Sequence, residues 1–220
     1  ETYDLARVKS EEEKLVAELR HKLENDLPGL KSQLVAAPPF RANSFSNEDV
    51  RNARHSSVVW LMYPCDDGWE GVLIVRAPYE GVHSGQVALP GGEKDDCDLN
   101  DLDTALRECE EEIGVRISKK EIVGALSPLY IPPSKFLVRP FVACISEKPE
   151  FILDEIEVSE LLFLKLERLC ADDLWKNYKM KGVKVPGFEI DDKVVWGATA
   201  MMLAEISDCC RDIFRDTFAS

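Results

Sequence analysis

The order of strand-like and helix-like segments constrains this chain most: a strand hairpin, one short helix, more strands, then a final helix. That order favours an α/β sandwich with a mixed β-sheet over a doubly wound βαβαβ pattern. Val58 to Tyr63 is a compact apolar run, Asp66-Asp67-Gly68 is a turn, and Trp69 to Val75 returns as the second strand of a hairpin. Downstream, Gln86–Leu89, Ile122–Leu126, Phe136–Ile145 and Leu161–Leu166 read as strands. Lys184–Ile190 and Lys193–Trp196 read as strands or a hairpin. Helical pieces are expected at Leu102–Ile113, stopped by Gly114, at 167–178 and at 198–214. Near the start, Leu15, Leu19 and Leu23 recur every four residues within an amphipathic helix over 9–25, with Ser10 as its cap. Residues 27–47, holding LPGL and APPF, read as mostly irregular. Residues 1–50 are therefore an N-terminal helix and arm of the same unit as the main domain, 51–220.

Charge narrows the function. The 220 residues include 41 acidic and 27 basic side chains, for a net charge of -14. Such a surface argues against non-specific nucleic-acid binding. It also repels a phosphate-bearing substrate unless bound metal and local arginines reverse the field. No apolar run is long enough to cross a membrane. Seven cysteines, an odd number with no CxxC spacing, read as reduced thiols of a cytoplasmic protein, not as a disulfide frame or zinc site. Three scattered histidines give no His-rich metal site.

The informative segment is 84–115, SGQVALPGGEKDDCDLNDLDTALRECEEEIGV. Glu108, Glu111 and Glu112 stand at i, i+3 and i+4, on one side of a helix. Like charges so placed destabilise a helix unless hard cations sit among them, and Mg²⁺ prefers oxygen ligands. Arg107 can orient a carboxylate through its planar fork. A solvated acidic face is the plain alternative. Against it stands the frame: two glycines upstream, a short acidic loop, and Gly114 directly after the helix. Pro-Gly-Gly is neither a dinucleotide fingerprint nor a P-loop, since no further glycine spacing or GKS/GKT follows.

Here the chain resembles the Nudix hydrolases, whose box is G-x5-E-x7-R-E-U-x-E-E-x-G-U with U aliphatic. Arg107 to Val115 match its second half, with Cys109 in an aliphatic slot. The first half departs: five residues lead from Gly92 to Asp98, not Glu, and eight residues separate Asp98 from Arg107. The standard spacing lands on Leu99, which cannot bind metal. This lengthened half resembles the coenzyme A diphosphatase branch, with its upstream pattern close to L-L-T-x-R-S/A-x3-R-x3-G-x-V-x-F-P-G-G. Arg76, Ala77 and the run Gly85 to Gly92 match apart from Leu89, while Gly81 replaces the second arginine.

The resemblance implies divalent-metal hydrolysis of the diphosphate of coenzyme A or a derivative, giving 3',5'-ADP and 4'-phosphopantetheine, with Mg²⁺ or Mn²⁺. ADP-ribose, NADH and dinucleoside polyphosphates are sister substrates. A non-catalytic nucleotide-binding module would usually lack a metal carboxylate, and none of the three is missing. Glu108 and Glu112 are implied as principal metal ligands, and Glu111 as a third ligand or the group that orients water. Glu157 or Glu160 is the candidate distant catalytic carboxylate. Arg107 serves the catalytic group, and Asp95 and Asp98 could hold outer-shell water. Substrate contacts are expected from Arg76, His83, Gly91, Gly92 and Arg139, with Tyr79 on the same loop as His83. A homodimer is favoured by the resemblance and by the apolar N-terminal helix.

Overall fold

The structure is a computed structural model that describes residues 5–41, 45–78 and 84–218. Three helices come first: α1 (Leu5–Asn25), α2 (Leu30–Gln33) and α3 (Asn47–Arg51). The hairpin strands follow as β1 (Arg54–Cys65) and β2 (Gly68–Arg76), then β3 (Val87–Ala88), β4 (Gly91–Glu93) and α4 (Asp101–Ile113). Next are β5 (Ile122–Ala125), β6 (Leu129–Ile131), β7 (Phe136–Cys144), β8 (Val158–Lys165) and α5 (Leu166–Leu169). A small antiparallel sheet, β9 (Lys176–Met180), β10 (Val183–Ile190) and β11 (Lys193–Trp196), leads into α6 (Gly197–Phe218).

The main sheet is mixed, as the segment order requires: β1 runs antiparallel to β2 and β4 but parallel to β7. The hairpin pairs only from Met62↔Gly71 to Cys65↔Gly68. Beyond that the strands splay. The edge of β1 that β2 leaves takes β4, at Ser56 to Val58, and β2 takes β3 at Ile74 and Val75. The Gln86–Gly92 segment thus lies in the mouth of a split sheet.

Both faces of the sheet are apolar, because successive side chains of a strand point to opposite sides. Val58, Trp60 and Met62 join a core with Leu15, Leu19 and Leu23 of α1 and Met201, Leu203 and Ile206 of α6. Val59, Leu61 and Tyr63 face the other way, onto Cys109 and Ile113 of α4. The result is the expected α/β sandwich, helices on either side of a mixed sheet.

Three sequence expectations need correction. The first helix begins at Leu5, so Ser10 lies within it and does not cap it. The helix expected over 167–178 is only the single turn of α5. Leu174 N–H donates to the Ala171 carbonyl in a turn, and Lys176–Met180 then pairs with β10. The stretch 27–47 contains α2 and a 3₁₀ turn, Leu34–Ala36, docked on α6. Glu205 of α6, fully buried, fixes that arm. It accepts hydrogen bonds from Gly29 N–H (3.1 Å), Gln33 Nε2 (2.9 Å) and Ser127 N–H (3.3 Å). No described helix is long and apolar enough to cross a membrane.

Candidate active site

Helix α4 is framed by its caps. The Asn100 side chain accepts from Asp103 N–H at 3.0 Å, and Gly114 closes the helix in the left-handed region at φ 74°. Its apolar side buries Ala105, Cys109 and Ile113. Glu112 is buried as well, at 1% exposure, and Glu108 is half-buried. A buried carboxylate needs partners. Glu112 Oε2 accepts from the Gly91 N–H at 2.7 Å, and the Gly91 carbonyl accepts from Arg76 Nη2 at 3.0 Å.

The two glycines are required by space. Gly91 has φ 147°, and a Cβ there would lie 2.2 Å from the Ser57 carbonyl oxygen. A Cβ on Gly92 would lie 2.2 Å from Glu108 Oε2. Strand β4 therefore presses its bare backbone against the carboxylates of α4.

The third carboxylate arrives from elsewhere in the chain. The segment before β8 is tied to the end of α4: Ile152 and Asp154 N–H donate to the Ile113 and Glu112 carbonyls, each at 3.0 Å. Ala77 N–H then grips the Glu157 carbonyl at 2.8 Å, beside a register shift between Val75 and Arg76 in the β2–β8 pairing. Such an irregularity re-aims side chains. It helps bring a carboxylate oxygen of Glu157 within 4.8 Å of those of Glu108 and Glu112.

Three oxygens so close repel when charged. Burial pushes the Glu112 carboxyl up to about 7. Arg76 and the Gly91 N–H oppose that rise, and Glu108 and Glu157 add to it. Glu108 is also raised, by burial first, with Arg107 opposing. The donor set is all carboxylate oxygen, the set a hard divalent cation prefers. Together with the space that Gly92 leaves for Glu108, it fits such an ion.

Arg107 is the hub beside this group. Its Nε and Nη2 reach both oxygens of Asp98, at 3.0 and 2.9 Å. Nη1 donates to Glu108 (2.7 Å) and Glu111 (2.8 Å), and Nη2 to the Glu93 carbonyl (3.1 Å). The guanidinium holds the Asp98 carboxyl well below the usual carboxylate range. Asp98 is thus committed to Arg107, while Leu99 points outward at 89% exposure.

A cleft of about 670 Å³ opens from the carboxylates. Of the residues singled out in the sequence, Arg76, Gly91, Gly92, Glu108, Glu111, Glu112 and Glu157 line it. Glu111 stands apart from the close triad and pairs with Arg107 instead. Glu160 meets Lys193 at 3.5 Å, so Glu157 is the distant acid that comes to the cluster. Arg139 is not among the lining residues. The two-residue repeat of β7 puts it on the sheet face of Ala143, beneath α4, away from Val138, which does line the cleft. His83, Tyr79 and Gly81 lie outside the described residues. Pro38, Phe40 and Arg41 of the arm, and Met201 and Met202 of α6, are walls that the sequence reading did not single out. No local motif marks them; only the fold carries them there.

A family model described as NUDIX domain matches residues 53–181, more than half of the chain. The chain belongs to the Nudix family, hydrolases that act on pyrophosphate bonds and need divalent metal ions. It is 30% identical over 162 residues to the uncharacterized Nudix hydrolase NudL of Yersinia enterocolitica, covering 71% of this chain and 81% of that one. NudL of Pectobacterium atrosepticum is 32% identical over 131 residues, 57% of this chain and 67% of the relative. In fold the chain is similar to a MutT/nudix family protein from Enterococcus faecalis. The TM-score is 0.55 at 18% identity, over 86% of this chain and 71% of that one.

Proposed function

We propose that this hydrolase cleaves the diphosphate of coenzyme A or its derivatives to 3',5'-ADP and 4'-phosphopantetheine, with Mg²⁺ or Mn²⁺. The carrying observation is the grouping of Glu108, Glu112 and Glu157 oxygens within 4.8 Å at a cleft of about 670 Å³. The ions, held by these acids with Glu111 beside them, would polarise the phosphoryl group and lower the pKa of the attacking water. Arg107 positions Glu108 and Glu111. Arg76, tied to the Gly91 carbonyl, stands ready for a phosphate oxygen, as do the backbones of Gly91 and Gly92. Glu157 is the candidate catalytic carboxylate.

Coenzyme A is favoured over other nucleoside diphosphate derivatives by Arg76-Ala77, the Gly85–Gly92 run and the lengthened loop to Asp98. Residues 1–50 are read as part of the same unit as 51–220, and free cysteines suit a cytoplasmic setting. A homodimer is supported by exposed Leu30, Leu34 and Val35 on the arm. The test is incubation with coenzyme A and Mg²⁺ or Mn²⁺, followed by chromatography. Release of 3',5'-ADP is expected. Its absence, with cleavage of ADP-ribose, NADH or a dinucleoside polyphosphate in parallel, would move the assignment to that substrate.

A further inference from the structure

One wall of the cleft is built from segments outside the matched domain, residues 53–181. The arm supplies Phe40, and the first turns of α6 supply Met201 and Met202. Glu205 joins the two segments. Met201 and Glu205 stand at i and i+4 on α6, so one side of the helix carries both a wall residue and the anchor of the arm. Glu205 takes the Gly29 and Gln33 donors, and Ser32 Oγ donates to Asp208 one turn further on. From there the chain has little freedom. Ala37 N–H donates to the Leu34 carbonyl at 3.2 Å and Arg41 N–H to the Pro38 carbonyl at 3.0 Å, while Pro38 and Pro39 fix their own φ. The second of these turns sets Phe40 at the cleft with its side chain 53% exposed. A large apolar side chain so exposed adds little to the core. Held in a stiff turn beside a cleft, it gains when a ligand covers it, and the cost of ordering it is already met.

The cleft also runs well past its carboxylates. Ile131 lies on β6, three strand spacings of about 4.8 Å from Gly91 on β4, or roughly 15 Å. A diphosphate does not fill that length. The wall beyond it, with Ile131, Phe136, Met201 and Met202, is apolar, and thioethers adapt to aliphatic shapes.

We infer that Phe40 contacts the group joined to the nucleoside through the cleaved diphosphate and favours an aliphatic chain there over a sugar, with Glu205 as the residue that positions it. The inference rests on the diphosphatase reading of the site. Methyl and methylene groups gain by covering a phenyl ring, whereas sugar hydroxyls lose water there without a partner. Covering the exposed half of the ring is worth about tenfold or more in binding.

The test compares dephospho-coenzyme A with ADP-ribose. Both are adenosine 5'-diphosphates, and they differ only in the group on the second phosphorus, a pantetheine chain or a ribose. The ratio of their kcat/KM values is measured with Mn²⁺ on the wild type, Phe40→Ala, Phe40→Leu, Glu205→Ala and the Phe40→Ala/Glu205→Ala double variant. A compound that is not cleaved is read through its Ki as a competitive inhibitor of one that is. Phe40→Ala should lower the ratio about tenfold, through the KM for dephospho-coenzyme A with kcat kept. Phe40→Leu should largely keep the ratio. Glu205→Ala should lower it as Phe40→Ala does, and the double variant should lower it no further. Each ratio is internal to one preparation, so partial unfolding slows both reactions and leaves it unchanged. A ratio unmoved by Phe40→Ala would overturn the inference, including the case in which both substrates weaken alike because adenine stacks on the ring. A ratio moved by Phe40→Ala but not by Glu205→Ala would overturn the positioning role of Glu205. If ADP-ribose is cleaved and neither coenzyme A nor its dephospho form is, the coenzyme A assignment falls while the ratio still decides the role of Phe40. Cleavage of none overturns both.

Discussion

Gly92→Ala separates the site from the fold. The added Cβ would lie 2.2 Å from Glu108 Oε2 and 2.4 Å from its carboxyl carbon, whereas ordinary contact begins near 3.4 Å. The carboxylate must retreat by roughly 1 Å, and a displacement of that size at a reacting centre costs about a hundredfold in rate. The obstruction is the end of a side chain, so the backbone need not move, and stability should change by less than about 1 kcal/mol. Gly71→Ala is the contrast. There a Cβ would lie 1.8 Å from the fully buried Trp60 indole, and overpacking should cost about 3 kcal/mol or more. Hydrolysis of the diphosphate substrate is followed while Mn²⁺ is titrated, alongside thermal melting. Gly92→Ala should melt like the wild type, need more metal and turn over about a hundredfold more slowly. Wild-type turnover at the same metal concentration would show that Glu108 is not held where catalysis requires it.

Three other outcomes follow from the same geometry. Between the ordinary glutamate value of 4.5 and the folded value of about 7, folded metal-free protein keeps a proton on Glu112 that the unfolded chain has lost. Stability should therefore fall as pH rises through that window, by on the order of 3 kcal/mol or about 10 °C in Tm. Added Mg²⁺ should restore it and Glu112→Gln should flatten it; a flat wild-type profile without metal would contradict the burial argument. Asp98 has the opposite sign. Its depressed carboxyl contributes stability above the unfolded value near 3.9 and loses it as pH falls through the folded one. Asp98→Asn should lower stability at pH 7 by about 2 kcal/mol and slow turnover, checked by melting and kinetics. Unchanged kinetics would mean that Glu93, Glu108 and Glu111 suffice to orient Arg107. Glu205→Ala strands the donors of Gly29, Gln33 and Ser127, at a cost of about 3 kcal/mol. Limited proteolysis should then cut within 27–47 first, and protection equal to the wild type would refute a Glu205-pinned arm.

What could be read beforehand was local. The hairpin, α4 and the final helix are set by apolar runs, turn residues and Gly114, all within a few positions of the elements they define. Glu108, Glu111 and Glu112 are legible for the same reason, being neighbours on one helix. The rest depends on distant pairings. Nothing near Glu157 says that it will outrank Glu111 as the third close carboxylate; that follows from the tie to the end of α4 and the bulge at Val75 and Arg76. The strand-like run around Arg139 is equally clear in sequence, but only the pairing of β7 decides which face the side chain takes. The helix expected over 167–178 failed because the partner of Lys176–Met180 lies beyond it in the chain, in β10.

The departure in the first half of the box is resolved by the same web of contacts. Asp is one methylene shorter than Glu, and here one extra residue lies between it and Arg107. Yet Asp98 still places both oxygens on Arg107, at 3.0 and 2.9 Å. Arg107 in turn donates to Glu108 and Glu111. The upstream acid therefore acts on the guanidinium and only through it on the carboxylates. A loop of different length can serve as long as it returns an oxygen pair to the same fork. That is why the extra residue can push Leu99 out to 89% exposure while Glu108, Glu112 and Glu157 stay together. The change in the box lengthens the path to Arg107 and leaves the carboxylates themselves as the half-motif places them.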